Sequence, residues 1–131
     1  MPGRFSAPGL AALVFLLLAA CTLPGPRTRE VEADSLRGVL ARCSEAAEGM
    51  HFKVMAVDRS HHIVIAEGRV EGGLSFHEVR LSIKVTHIDG NRYEVEAIAT
   101  ADERGIREGA EKKTRKLFFR ELKETGIVIE G

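Results

Sequence analysis

The chain has 131 residues, 29% of them charged, with 19 Lys and Arg against 19 Asp and Glu and a formal charge of zero at pH 7. That balance leaves no electrostatic footprint for nucleic acid, which a basic domain would show. The length fits a single domain around one core.

Met1 to Gly9 carry one positive side chain, Arg4, and Leu10 to Ala20 form an uncharged apolar run of Ala, Leu, Val and Phe. A membrane-spanning helix needs about 20 apolar residues, and Pro24 and Pro26 follow this run closely. Residues 1–20 therefore read as a cleavable export signal. Its final residues, Leu18-Ala19-Ala20-Cys21, set a large apolar side chain and small ones directly before a cysteine.

That stretch resembles the lipobox of bacterial lipoproteins. The resemblance implies cleavage between Ala20 and Cys21, a diacylglyceryl group on the Cys21 sulfur, and acylation, for example by palmitate, of the new amino terminus. Ala20 also suits ordinary secretory cleavage, the alternative reading of the same residues. Two or more acyl chains hold a protein stably where one is marginal, because each buried CH₂ contributes about 0.8 kcal/mol. Thr22 stands where Asp would signal inner-membrane retention in enteric lipoproteins, so the expected location is the outer membrane, facing the periplasm. Loss of Arg4 with the signal moves the mature chain to a formal charge of −1.

Residues 22–33, TLPGPRTREVEA, contain two prolines, a glycine and mixed charge without a period, and 21–33 is read as a lipid-anchored flexible tether. Residues 34–131 form the expected single domain. A first helix starts at Asp34 or Ser35, either of which can cap it, and ends near Gly49. Leu36, Val39, Leu40, Cys43, Ala47 and Met50 recur every three or four residues. Cys43 is thereby placed in an apolar stripe as a small hydrophobe, without a reactive setting.

The period then changes to two. Residues 51–58 and 62–70 read as short strands, and in 76–87 Val79, Leu81, Ile83 and Val85 alternate with Glu78, Arg80, Ser82 and Lys84. Asp89-Gly90 supplies a tight hairpin turn. Tyr93, Val95, Ala97 and Ala99 follow on one face, with Arg92, Glu94 and Glu96 on the other. Arg80 and Lys84 thus face Glu94 and Glu96 in the expected strand pair. Residues 67–75, with Gly68, Gly72 and Gly73, read as a flexible connector, the lip of any strand-addition site.

Thr100 to Glu103 fits a capping box, and a last helix runs to about Thr125, where Gly126 stops it. Ile106, Ala110, Leu117 and Phe118 mark its apolar side, and Glu121 falls awkwardly near the centre of that side. The tail 127–130 is expected to fold back as a short edge strand or to cover the end of the core. The expected fold is α+β, two-layered, helix-β-β-β-β-helix, with an antiparallel four-stranded sheet and both helices on one face. It resembles small bacterial envelope lipoproteins with one such domain, many without an assigned activity.

Chemistry is sparse. His77 and His87 lie ten strand positions apart, about 33 Å, and no HxH, HExxH or CxxC occurs, so no metal or cofactor is expected. No GxSxG, P-loop or GxGxxG is present, and Ser60 beside His61 is a local coincidence. No enzymatic activity is expected. The candidate docking face is Lys112, Lys116, Phe119, Arg120 and Lys123, a basic stripe with an embedded aromatic, suited to anionic lipid, an acidic envelope protein or an anionic polymer. Basic residues late in a helix also suit its dipole without any partner. The resulting expectation is a lipid-anchored, non-enzymatic binding or assembly module of the bacterial envelope. The alternative is a carrier holding a small apolar ligand between helices and sheet.

Overall fold

A computed structural model of the chain describes residues 27–72, 75–101 and 107–129. In chain order the elements are β1 (Thr28–Glu32), α1 (Leu36–Gly49), β2 (Lys53–Asp58), β3 (Ile63–Gly72), β4 (Ser75–Asp89), β5 (Arg92–Ala101) and α2 (Arg107–Glu124). Among the described residues the strands form one antiparallel sheet, ordered β1-β5-β4-β3-β2. The class is α+β, as expected, but with five strands rather than four. The added strand comes from residues read as tether, since Thr28 to Glu32 pair with Glu96 to Arg92 of β5. Only Val31 of this edge strand is buried, so it carries no alternating signature. The signal segment 1–20, Cys21 and the tether up to residue 26 lie outside the described residues.

Helix α1 starts as its residues dictate. Ser35 is extended, and its hydroxyl accepts the Gly38 backbone N–H at 3.1 Å. At the other end the N–H of His51 donates to the Glu48 carbonyl and that of Phe52 to the Ala47 carbonyl, at 2.9 and 3.0 Å. This is a Schellman closure with His51, at φ 66°, in the left-handed position usually held by glycine. The turn delivers Phe52 onto β3 at Gly68, where a Cβ would lie 2.3 Å from the Phe52 ring. Gly68 therefore belongs to a paired strand rather than to a flexible lip: Glu67 to Gly72 oppose Arg80 to Ser75 without a break.

The sheet shows the expected alternation. Val64, Ala66 and Val70 of β3, Val79, Leu81, Ile83 and Val85 of β4, and Tyr93, Val95, Ala97, Ala99 and Ala101 of β5 are buried. They share one cluster with Val39, Leu40, Cys43, Ala46 and Ala47 of α1 and with Ala110, Phe118, Phe119 and Leu122 of α2. Most intervening residues are charged or exposed, although Ile98, exposed at 48%, and half-buried Ile63 and Ile65 place apolar side chains on this side as well. Of the expected β4–β5 charge contacts, Lys84 directly faces Glu96, whereas Arg80 faces Thr100 and pairs instead with Glu67 of β3 at 2.9 Å. Gly90, at φ 46°, closes the β4–β5 hairpin beside a bulge at His87 and Asp89.

Helix α2 departs from the expectation in two ways. Thr100 and Ala101 lie in β5, with Thr100 opposite Arg80, so Thr100 is a strand residue and not a helix cap. Residues 102–106, Ile106 included, lie outside the described residues. The buried face runs in two rows at four-residue spacing, Ala110-Thr114-Phe118-Leu122 and Arg115-Phe119. Thr114 is accommodated because its hydroxyl donates to the Ala110 carbonyl at 2.7 Å. Glu121 is half-buried and meets the end of α1, where a Cβ on Gly49 would lie 2.8 Å from its carboxylate. The helix ends as expected, with Gly126 at φ 84°. The tail then folds back on β1: Val128 bridges Val31, the Glu32 N–H donates to the Ile127 carbonyl at 2.8 Å, and the Ile129 N–H donates to the Glu30 carbonyl at 3.0 Å.

The Phe52–Gly68 contact gives a direct test. Gly68→Ala forces the ring away and should destabilise the domain by about 1–3 kcal/mol, measured by urea unfolding. Adding Phe52→Leu should make the two changes less than additive, because both act on the same space.

Candidate functional site

Lys112, Lys116, Arg120 and Lys123 project from the exposed side of α2. Phe119 does not join them. It is 6% exposed, packs edge-on to Phe118 at 5.2 Å between centroids, and carries the Arg29 guanidinium over its ring at 5.3 Å. Its role is core and cation–π contact, so of the five candidate docking residues the four cations are the accessible ones. Arg115 lies beneath them and is largely buried. Desolvation, followed by the like charge of Arg27, lowers its pKa, with Glu111 acting in the opposite sense.

These contacts locate the start of the described chain. The Arg27 carbonyl accepts the Ala97 N–H at 2.9 Å, Arg27 acts on Arg115, and Arg29 covers Phe119. The polypeptide therefore enters the domain beside the basic helix. In the first half of α2 the Lys113 ammonium donates to the Glu71 carbonyl at 3.1 Å, which ties the helix to β3.

The turn between β2 and β3 holds an Asp, a Ser and a His in mutual contact. Asp58 Oδ1 accepts the Ser60 hydroxyl at 2.8 Å and the backbone N–H groups of Ser60 and His61, each at 3.1 Å. His61 Nδ1 lies 2.7 Å from Asp58 Oδ2 and 3.2 Å from Ser60 Oγ. A catalytic triad uses both ring nitrogens, one toward the acid and the other toward the nucleophile. Here one nitrogen faces both, and the side chains are solvent-exposed, so the arrangement is a turn built on an aspartate. Hydrogen bonds from Ser60, then from the His61 side chain and backbone, lower the Asp58 pKa to about 2.

His77 is buried on β4, while His87 is exposed, its ring tilted against Tyr93 at 5.0 Å between centroids and its Nε2 2.9 Å from the Gly90 carbonyl. Among the described residues no three His, Cys, Asp or Glu side chains group as metal ligands. No helix among them is long and apolar enough to cross a membrane. The polar side of the sheet carries a shallow groove lined by Lys53, Met55, Glu67, Arg69, Glu78 and Arg80. Its charges are partly satisfied across strands, Arg80 with Glu67 and Arg69 with Glu78 at 3.7 Å.

The two edges of the sheet differ. The outer edge of β1 is taken by the tail, through the Ile127 carbonyl and the Ile129 N–H. The outer edge of β2 exposes Met55 at 51% and Val57 at 42%. Sequence reading missed this contrast, since the cover on β1 depends on a chain reversal across the whole domain. The visible signal was the run Val54-Met55-Ala56-Val57, too apolar for a solvated edge.

The chain matches no protein-family model and no curated protein. Function is consequently argued from the geometry.

Cys43 lies in the core as expected, fully buried, and desolvation pushes its thiol up to about 12 from an ordinary 9.0. Iodoacetamide should leave it unmodified until the domain unfolds. The unfolded chain loses this proton first, so the stability it contributes is complete below about pH 9 and declines as pH rises toward the folded value, by up to about 1.4 kcal/mol per unit. Unfolding measured on both sides of pH 9 should show that decline, and Cys43→Ala should remove this part of it.

Proposed function

We propose that the protein is a lipid-anchored, non-enzymatic binding and assembly module of the bacterial envelope, held by acyl chains on Cys21 at the periplasmic side of the outer membrane. The observation that carries this reading is the entry of the chain beside α2. Six residue steps separate Cys21 from Arg27, a reach of about 20 Å when fully extended. The anchor then holds Lys112, Lys116, Arg120 and Lys123 near the headgroups, where each cation contributes roughly 1 kcal/mol of attraction to an anionic surface. The partner of the basic face is accordingly anionic lipid, in preference to an acidic protein or polymer.

In this reading both helices lie over one face of the sheet. The support is the single core cluster that joins both helices to alternate residues of β3, β4 and β5. The space between the layers is occupied by fully buried Phe118, Leu122, Leu81 and Ile83, and by Ala47, Ala97 and Ala110, which let the layers approach. That packing favours binding at surfaces over a ligand carried in the interior.

Metabolic labelling with an alkyne fatty acid should mark the wild-type protein and not Cys21→Ser. A photo-crosslinking residue at position 116 of the lipidated protein should capture phospholipid in intact envelopes, whereas one at position 82, on the polar side of the sheet, should not. Lys112→Glu with Arg120→Glu should cut lipid capture from position 116 by roughly tenfold or more and leave unfolding unchanged. Capture of protein in place of lipid at position 116 would defeat the lipid-docking reading.

A further inference from the structure

We propose that β2 is a self-association edge through which two copies of the chain pair antiparallel about a twofold axis. The pairing goes beyond the membrane reading and does not depend on the lipid. It begins from the asymmetry of the sheet: the tail occupies the outer edge of β1, and the outer edge of β2 exposes Met55 and Val57. An exposed apolar edge of this kind is a template for another strand.

The sequence of β2, Lys53-Val54-Met55-Ala56-Val57-Asp58, is complementary to its own reverse. Placing two copies antiparallel with the axis between Met55 and Ala56 sets Lys53 opposite Asp58 of the second copy, Val54 opposite its Val57, and Met55 opposite its Ala56. The interface is isologous, so each contact occurs twice. Opposite charges close both ends, and apolar side chains fill the middle.

Facing residues must also lie on the same side of the sheet. In a regular strand Lys53 and Asp58, five positions apart, would point to opposite sides. The bulge in β2 corrects this. Lys53 opposes Glu67 and Asp58 opposes Ile63, with the register shift between Val54 and Ala56 absorbing one residue. Glu67 and Ile63 are four apart on β3 and share a side, so Lys53 and Asp58 share it as well. Val54 and Val57, opposite Ala66 and Val64, share the other, buried side.

A one-residue slip in either direction sets Lys53 against Val57 or Val54 against Asp58, and mismatches the sides. The self-pairing register is thus fixed by both charge and face. Asp58 is held at its end of the strand by Ser60 and His61, so its charge is fixed at that end of the edge.

The test uses the full chain extracted in detergent, with sedimentation equilibrium in density-matched buffer across a micromolar concentration series. Wild type should show a two-chain species. Lys53→Asp, which opposes two aspartates at each end of the interface, should weaken it by about tenfold. Asp58→Lys should do the same, and mixing these two variants should restore pairing between them. Because Asp58→Lys also alters the turn, a separate arm leaves it intact: Val54→Cys with Val57→Cys should form an interchain disulfide on mild oxidation, whereas cysteines replacing Thr28 and Glu30 on β1 should not. A monomer at every concentration, equal masses for wild type and Lys53→Asp, or no crosslink through positions 54 and 57 would each overturn the proposal.

Discussion

The rest of the molecule depends on burial of one side of the sheet. Val79, Leu81, Ile83 and Val85 on β4, flanked by Val95 and Ala97 on β5 and by Val64 and Ala66 on β3, are almost wholly withdrawn from water. Each larger side chain contributes roughly 1.5–3 kcal/mol by that transfer. The contribution exists only while residues of α1 and α2 share the core cluster with these strands, and this explains why small residues recur at the contacts. Ala46 and Ala47 on α1, Ala110 on α2 and Gly68 on β3 set the approach distance, while Phe52 and Phe118 occupy the space that remains. The same requirement draws the Thr114 hydroxyl back onto its own helix and forces desolvation of Arg115.

Burying one side leaves two unfinished problems, the polar side and the edges. On the polar side, opposite charges pair across strands at exposed positions, each such contact worth at most about 1 kcal/mol, so these charges confer solubility and register more than stability. The edges are treated unequally. β1 is short, hydrophilic and roofed by the tail, with Val128 against Val31. β2 is bulged, and a bulge is one of the devices that discourage pairing. On this strand, however, the bulge also brings Lys53 and Asp58 to one side, so the same irregularity selects among partners.

Much of the architecture was legible because local and tertiary demands agree. The alternation in 79–85 and 93–99, the Asp89-Gly90 turn, the Ser35 cap, the Gly126 stop and the burial of Cys43 all follow from residue type and period. What failed did so where tertiary context overrules a local signal. Thr28 to Glu32 forms a strand although only Val31 meets the core, and Thr100 reads as a cap until Arg80 is seen opposite it. The basic stripe was legible as a row of cations, but Phe119 was misassigned. The buried residues of α2 run in rows four apart, one of which takes in Phe119, and Arg29 closes over the ring from another element. The return of the tail was legible, but not which edge it covers, because β1 itself was read as tether.

The two proposed surfaces are geometrically compatible. β1 and β2 lie at opposite edges of the sheet, four strand spacings or about 19 Å apart, so neither membrane docking near the chain entry nor pairing through β2 obstructs the other. A twofold axis normal to the sheet preserves its two sides. Each α2 helix then lies on the same side as its counterpart in the second copy, so the two basic faces share that side. Two copies on one membrane can therefore pair while each keeps its own anchor and cations at the headgroups. Confinement to that surface raises their effective concentration, so the pairing measured in detergent is strengthened when both chains share a membrane.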